Sequence, residues 1–300
     1  MKFFDLHCDT IGECSNNNIP LRINELHIDL LRGKELGEYT QVFAIWIPDE
    51  FRGNRAVAYF NKVKDYFYKE IGNNKDLISL YKDKTDTPIK AILSVEGGSA
   101  CGGTIAGLHH LYECGVSLIT LTWNSNNEIG AGAFSDGGLT SFGKEFVKEA
   151  ENLGITLDAS HLNRQCFFEL AEIAEKPFIA SHSNADIVNN KYAVKRNLTE
   201  EQIMIIKERK GIIGLNFCQE FIEDENASGI DSLYRQIEYF LSLGCENIIS
   251  FGSDFDGCKM HNDFKGIHKI KEVYNKLINK GISEDVLNKL FYENAERFFI

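Results

Sequence analysis

The chain has 300 residues, 43% of them hydrophobic and 25% charged, and no stretch is polar or repetitive enough to indicate disorder. Its formal net charge of -12 argues against nucleic acid or an anionic membrane as the main partner, because both attract clustered Lys and Arg. There is no signal-peptide core, no apolar run of membrane-spanning length and no CxxC pair among the eight cysteines, so we expect a cytoplasmic protein with free thiols.

Short apolar, β-branched or aromatic runs alternate with longer segments of helical period along the whole chain. The short runs predict eight strands, at residues 3–6, 41–47, 91–95, 117–121, 156–158, 177–180, 212–216 and 247–251. The longer segments predict helices at 55–69, 105–114, 141–153, 164–174, 200–210, 232–243, 283–289 and 293–298. Eight β–α units predict one α/β domain over residues 1–300, a closed (β/α)8 barrel of the triosephosphate isomerase type.

Several predicted helices end on a glycine just before the next strand, which favours one repeating unit over two unrelated domains. A doubly wound open sheet is the alternative. That fold binds phosphates at a glycine-rich loop, and neither GxGxxG nor GxxxxGK[ST] follows a strand here.

Polar residues follow nearly every predicted strand, and in a barrel those strand ends share one rim, where barrel enzymes carry their chemistry. In chain order they are His7 and Asp9, Glu96, Trp123 and Asn124, His161, His182, Asn216 and Asp254. Residues from nearly the whole sequence are therefore expected to converge on one small space.

Each of these residues also has an ordinary structural interpretation. His7 and Asp9 could be a hydrogen-bonded strand end, because short HxD patterns often occur by accident. Glu96 ends a buried type of strand and could form a salt bridge with an Arg or Lys. A single buried histidine is usually a satisfied core residue, but His161 and His182 both follow Ser after an apolar strand, and this repetition favours a metal site.

Together His7, Asp9, Glu96, His161, His182 and Asp254 are enough to hold two divalent ions with one carboxylate between them. Paired ions of this kind activate a shared water as hydroxide. A serine hydrolase is not supported, because no GxSxG elbow is present. A cysteine nucleophile at Cys8 or Cys258 has no supporting pattern, since buried inert thiols are more common.

Six motifs in this order, "DLHCDT", "SVEGG", "LDASHLN", "FIASHSNA", "RNLT" and "GSDFDG", resemble the membrane dipeptidase family, also called renal dipeptidases. The resemblance runs from Phe4 to about Phe298. It implies a (β/α)8 barrel with two zinc ions that hydrolyses dipeptides, with other divalent metals as alternatives to zinc.

The resemblance also implies a role for each matching residue. His7 and Asp9 match ligands of one zinc, Glu96 matches the carboxylate that bridges both, and His161 and His182 match ligands of the second. Asp254 matches the acid beside the first zinc that handles the proton of the attacking water. Arg196 matches the arginine that binds the C-terminal carboxylate of the dipeptide, a group suited to its bidentate fork.

One position departs from the family pattern. Where the family has a histidine thought to contact the substrate carbonyl oxygen, this chain has Trp123. An indole can donate a hydrogen bond from its one N–H, but it cannot take up a proton and become positively charged. Asn124 or Asn126 is a candidate replacement for that contact. Alternatively, Trp123 is a wall that reshapes the pocket for another substrate.

Three functions follow from these patterns. The first is a zinc dipeptidase, with Asp254 and Glu96 in catalysis and Arg196, Trp123 and Asn124 at the substrate. The second is a metal-dependent amidohydrolase acting on another small amide or cyclic nitrogen compound, and the third is a non-catalytic metal-binding or peptide-binding barrel. The expected partners are a small dipeptide-like substrate and a second copy of the chain in a homodimer, without nucleic acid or membrane.

Overall fold

The computed structural model describes residues 1–83 and 85–300, which form a parallel β-barrel surrounded by helices. Its strands are β1 (Lys2–Cys8), β2 (Glu38–Trp46), β3 (Ile78–Leu80), β4 (Ile89–Glu96), β5 (Val116–Thr120), β6 (Thr156–Asp158), β7 (Ile213–Leu215) and β8 (Ile249–Phe251). Hydrogen-bonded neighbours follow the order β6-β5-β4-β2-β1-β8-β7, and every strand pair is parallel.

The sixth predicted strand, at residues 177–180, closes the ring through single bridges instead of a ladder. Ile179 bridges Asp158 at the end of β6, and Ala180 bridges Ile213 in β7. The (β/α)8 class predicted from the sequence is thereby confirmed. The additional strand β3 was not predicted, and it lies beside the first residues of β4, off the ring.

The helices are α1 (Thr10–Asn17), α2 (Leu30–Gly33), α3 (Gly53–Asn73), α4 (Ile105–Glu113), α5 (Ser141–Leu153), α6 (Arg164–Ile173), α7 (Ala193–Arg196), α8 (Glu200–Glu208), α9 (Gln219–Ile222), α10 (Ile230–Ser242), α11 (Ile270–Asn279), α12 (Glu284–Asn288) and α13 (Asn294–Phe299). The eight predicted helices match α3, α4, α5, α6, α8, α10, α12 and α13. The sequence prediction missed α11 and the short helices α1, α2, α7 and α9. Among the residues described, no helix is long and apolar enough to cross a membrane.

Strand β1 is buried from Phe3 to Cys8, because its two faces pack in different directions. Phe4 and Leu6 join a small cluster with apolar side chains of the other strands and of helix α13, whereas Phe3 belongs to the large core between the barrel and its helices. The register between β1 and β2 shifts between Asp5 and Cys8. Such a bulge re-aims side chains, and His7 lies within it at the end of the strand.

Candidate metal centre

The six predicted metal ligands come together at the carboxyl ends of the strands. His7 lies in β1 and Asp9 just after it, Glu96 is the last residue of β4, and the other three follow β6, the bridging segment and β8. All are buried except Asp9, which is partly exposed. The structure thus brings together residues that are as much as 247 positions apart in sequence, His7 and Asp254.

One half of the centre consists of His161, His182 and one oxygen of Glu96. Glu96 Oε1 lies 2.9 Å from His161 Nε2 and 3.4 Å from His182 Nε2, and the two imidazole nitrogens are 2.9 Å apart. Hydrogen bonds at the Nδ1 atoms of the two rings determine whether each Nε2 carries a proton or a lone pair.

Both histidines have a hydrogen-bond acceptor at Nδ1. His161 Nδ1 faces the side-chain oxygen Oδ1 of Asn124 at 3.0 Å, and His182 Nδ1 faces the Ser181 hydroxyl at 2.8 Å. Ser181 Oγ already donates to Asp158, so it accepts from His182. Both rings are therefore protonated at Nδ1, and each turns an Nε2 lone pair toward Glu96. Three acceptors that face each other without a shared proton fit a bound cation.

The other half consists of His7, Asp9, Asp254 and the second oxygen of Glu96. His7 Nε2 is buried and has no hydrogen-bond partner among the residues that the structure describes. It lies 3.4 Å from Asp9 Oδ2, 3.7 Å from Glu96 Oε2 and 4.0 Å from Asp254 Oδ1. A buried nitrogen without a partner is costly, and metal coordination would satisfy it. Glu96 therefore points one oxygen into each half.

The charges of this cluster are poorly compensated by the protein alone. Burial, together with Asp254, raises the pKa of Glu96 to about 7, and burial with Glu96 and Asp254 raises the pKa of Asp9 to about 8. Burial lowers the pKa of His7, but the surrounding carboxylates outweigh it and raise that pKa to about 10. Divalent cations would reverse this situation by stabilising the carboxylates and the neutral imidazoles.

Two of the predicted ligands have a left-handed backbone, which is unusual for residues other than glycine. The φ angle is 65° at His161 and 62° at Asp254. Hydrogen bonds hold both turns: Thr122 Oγ1 donates to the His161 carbonyl, and the Asp254 N–H donates to the His7 carbonyl. Strained backbone of this kind concentrates at functional sites. Sequence periodicity carries no signal for it.

Arg196 ends helix α7 and is buried beside the centre. Its guanidinium donates to the His182 carbonyl at 3.4 Å and stacks over the Phe221 ring at 5.2 Å, whereas no partner for its Nε is found within residues 1–83 and 85–300. Burial lowers the pKa of Arg196, while Asp254 and Glu96 act in the opposite direction. The side chain is thus held in place with donor capacity left for a ligand.

Trp123 and Asn124, the two predicted substrate contacts that follow β5, occupy different surroundings. Trp123 packs edge to face against Trp46, with ring centroids 5.1 Å apart, and its ring lies 6.2 Å from that of His161. The Asn124 side chain, by contrast, lies behind His161 as the acceptor for Nδ1. Its observed contact orients a candidate ligand.

Two buried carboxylates without a metal-ligand role were missed in the sequence. Asp158 accepts hydrogen bonds from Ser181 Oγ (2.5 Å), Thr120 Oγ1 (2.6 Å) and the backbone N–H groups of Ser160 and Ser181. Asp5 accepts from Ser253 Oγ (2.6 Å) and Ser253 N (2.7 Å), which joins the loop after β8 to β1. A buried-type strand that contains Asp is the only signal that the sequence offered.

A cavity of about 400 Å³ opens onto the centre. Its lining includes Asp9, Glu96, Trp123, Asn124, His161 and Asp254. A larger cavity of about 650 Å³ lies near the opposite strand ends, beside Thr156, Ile212 and Ile248, and contains none of the predicted site residues. The smaller cavity is therefore the candidate substrate pocket.

Comparison with known proteins places this geometry in a family. Residues 1–299 match the family model described as membrane dipeptidase, peptidase family M19. An uncharacterised protein of Klebsiella pneumoniae is 28% identical over 223 residues, which cover 70% of this chain and 81% of that protein.

Solved structures show the same fold. A metallopeptidase of Rhodobacter sphaeroides, liganded with a phosphinate mimic of the dipeptide L-Ala-D-Ala, superposes with a TM-score of 0.90 at 24% identity, covering 98% of this chain and 97% of that one. A probable dipeptidase of Pseudomonas aeruginosa superposes with a TM-score of 0.84 at 17% identity, covering 99% and 94%.

Proposed function

The chain belongs to the membrane dipeptidase family of metallopeptidases, hydrolases that act on peptide bonds, and we propose that it cleaves small dipeptides with two zinc ions held at the rim of the barrel. The observation that carries the number of ions is Glu96, whose Oε1 faces His161 and His182 while its Oε2 faces His7. The proposed ligands are His7, Asp9 and Glu96 for one ion and Glu96, His161 and His182 for the other. Zinc suits this mixture of imidazole and carboxylate donors.

When bound, two divalent ions would lower the pKa of a shared water and polarise the scissile carbonyl group. Asp254 is proposed to accept the proton of the attacking water and to pass it to the leaving amine. Burial raises the pKa of Asp254, but His182 and His7 lower it to a net value below the usual range. Asn216 Nδ2 donates to its Oδ2 at 3.1 Å, which fixes the carboxylate while Oδ1 faces His7.

Arg196 is proposed to bind the C-terminal carboxylate of the dipeptide. Its guanidinium is desolvated, and Phe221 and the His182 carbonyl restrict its motion, so a carboxylate can accept two parallel hydrogen bonds from it with little further ordering. A D-residue at the second position is included in the proposal, because the structurally similar Rhodobacter sphaeroides enzyme binds a mimic of L-Ala-D-Ala.

Trp123 is proposed to shape the pocket instead of stabilising the developing oxyanion. Its packing on Trp46 builds an aromatic wall beside His161, and the Asn124 oxygen is occupied by His161. This wall is also the observation that favours the second candidate, an amidohydrolase for another small amide. In that case the same centre acts on a substrate with a different shape.

Metal analysis combined with a dipeptide panel tests the proposal. We expect two divalent ions per chain, cleavage of L-Ala-L-Ala and L-Ala-D-Ala, loss of cleavage after chelation and recovery with zinc. Less than one ion per chain contradicts the site. Two ions without cleavage of any dipeptide favours the amidohydrolase or the binding barrel.

The variant Trp123→His, with Trp123→Phe as the matched control, tests the account of the wall. We expect the histidine variant to keep or raise dipeptide turnover, since imidazole can be protonated and can then offer a charged donor that indole cannot, and the phenylalanine variant to stay near the parent. Loss of turnover in Trp123→His alone contradicts the account. The cytoplasmic location, the single domain and the homodimer stay predictions, which cell fractionation, limited proteolysis and light scattering can check.

A further inference from the structure

Two thiols, those of Cys218 and Cys258, lie beside Asp254. The Sγ atoms of Cys218 and Cys258 and one carboxylate oxygen of Asp254 all lie within 4.8 Å of one another. No sequence motif supports a role for either cysteine, and the proposed zinc pair contains no sulfur ligand.

The fold itself brings the two cysteines together. Cys218 follows β7 and bridges Met260 in an antiparallel arrangement, and the Gln219 N–H donates to the Lys259 carbonyl at 2.9 Å. Asn216 Oδ1 accepts from the Cys218 N–H at 2.5 Å, and Cys258 Sγ lies 3.7 Å from the Asp254 carbonyl oxygen. Backbone contacts between the segments that carry Cys218 and Cys258 therefore hold the two thiols near each other.

The donor set suits a thiophilic cation, and the cavity provides access to it. Tetrahedral zinc with bonds of about 2.3 Å holds two sulfur ligands about 3.8 Å apart, so side-chain rotation alone can close the observed separation. Cys218 and Cys258 both line the 400 Å³ cavity, and Cys258 is partly exposed. Water in the cavity can complete the coordination.

We propose that Cys218, Cys258 and Asp254 form a third cation site for a thiophilic divalent ion such as Zn²⁺ or Cd²⁺. An ion bound there inhibits the enzyme, because Asp254 coordinates it and is no longer free to transfer protons. The key observation is that Asp254 belongs to two possible ligand groups, one with His7 and Asp9 and the other with the two cysteines. Binding releases a proton from each thiol, and the ion is then coordinated by Asp254, the carboxylate proposed to transfer protons in the reaction. The inhibition rests on the proposed function, whereas the binding does not.

Cadmium titration of the protein already loaded with its resident ions tests the binding. Thiolate-to-cadmium charge transfer absorbs in the ultraviolet, and the proposed zinc ligands are imidazoles and carboxylates only, so the absorption reports cysteine sites. We expect one equivalent of Cd²⁺ to produce it in the parent and none in Cys258→Ser. Cys114→Ser is the matched control, because it removes the other partly exposed thiol and should keep the absorption.

Activity in the same titration tests the sharing of Asp254. Loss of a proton-transfer group slows turnover on the order of 100-fold, so we expect that loss in the parent and in Cys114→Ser as the site fills. Cys258→Ser, compared with its own cadmium-free rate, should keep its turnover.

Several results overturn the proposal. Absence of the absorption in the parent, or its persistence in Cys258→Ser, rules out the site, and absorption without loss of turnover rules out the sharing of Asp254. If thiol titration finds two more thiols after reduction than before it, Cys218 and Cys258 form a disulfide instead of a cation site. If no variant cleaves dipeptides, the proposed function fails, and the absorption still decides whether the site exists.

Discussion

Ser181→Ala should weaken metal binding although Ser181 touches no metal. Ser181 Oγ donates to Asp158 at 2.5 Å and accepts from His182 Nδ1 at 2.8 Å, which fixes the imidazole with its lone pair on Nε2. Without the hydroxyl, the buried Nδ1–H has no partner, a loss of about 1–3 kcal/mol. The ring can escape that loss only by moving its proton to Nε2, the atom that faces Glu96.

Loss of such a partner lowers metal affinity about 10-fold to 100-fold, which corresponds to about 1.4–2.7 kcal/mol. Zinc titration of the metal-free protein against a competing chelator measures it, with thermal unfolding as a check on the fold. Ser183→Ala is the matched control, because Ser183 flanks His182 on the other side but its hydroxyl pairs with Ser160 Oγ, at 3.3 Å, and not with the imidazole. Equal zinc affinities in the two variants would show that Ser181 does not set the His182 tautomer.

Three further predictions concern the carboxylates of the centre. Glu96→Gln should reduce the metal content from two ions to less than one per chain, because a neutral amide cannot bridge two cations; two ions retained after gel filtration would contradict it. Gly257→Ala should cost the ion at His7 and Asp9 alone, since its Cβ would lie 2.1 Å from Asp9 Oδ2, whereas Gly12→Ala, with open space around it, should keep both. In the metal-free protein the pKa values of Glu96 and Asp9 are raised above their unfolded values, to about 7 and about 8. Their contribution to the free energy of unfolding is therefore fully present below about pH 4 and is lost as the pH rises through 7 and 8. Zinc should therefore raise the melting temperature more at about pH 8.5 than at about pH 6, and an equal shift at both would contradict this.

The barrel and its rim could be predicted because both depend on short-range patterns. Apolar runs and helical periods recur along the chain, and a parallel barrel places every strand end on one rim whatever the loops do. The convergence of Glu96, His161 and Asp254 followed from topology alone. The six motifs of the family then assigned the individual roles.

The missed features depend on contacts between distant segments. The pattern of residues 177–180 predicts an ordinary strand, but the segment joins β6 and β7 through single bridges at Ile179 and Ala180 instead of a continuous ladder. The role of Asp158 depends on Ser181, 23 residues further along the chain, and the pairing of Cys218 with Cys258 depends on the loop after β8. No local period records such contacts.

The positions of Asp5 and Asp158 explain how a site with strained and charged ligands keeps its shape. Asp5 joins the loop of Asp254 to β1 through Ser253, and Asp158 accepts from the backbone N–H groups of Ser160 and Ser181, the residues just before the two histidines of the other half. Each carboxylate satisfies its oxygens with protein donors, so neither depends on a metal ion for its partners. The two halves of the centre are thus positioned by hydrogen-bond networks around different buried carboxylates, and Glu96 is the proposed ligand that faces both halves. Disturbing one network should affect one ion, whereas disturbing Glu96 should affect both.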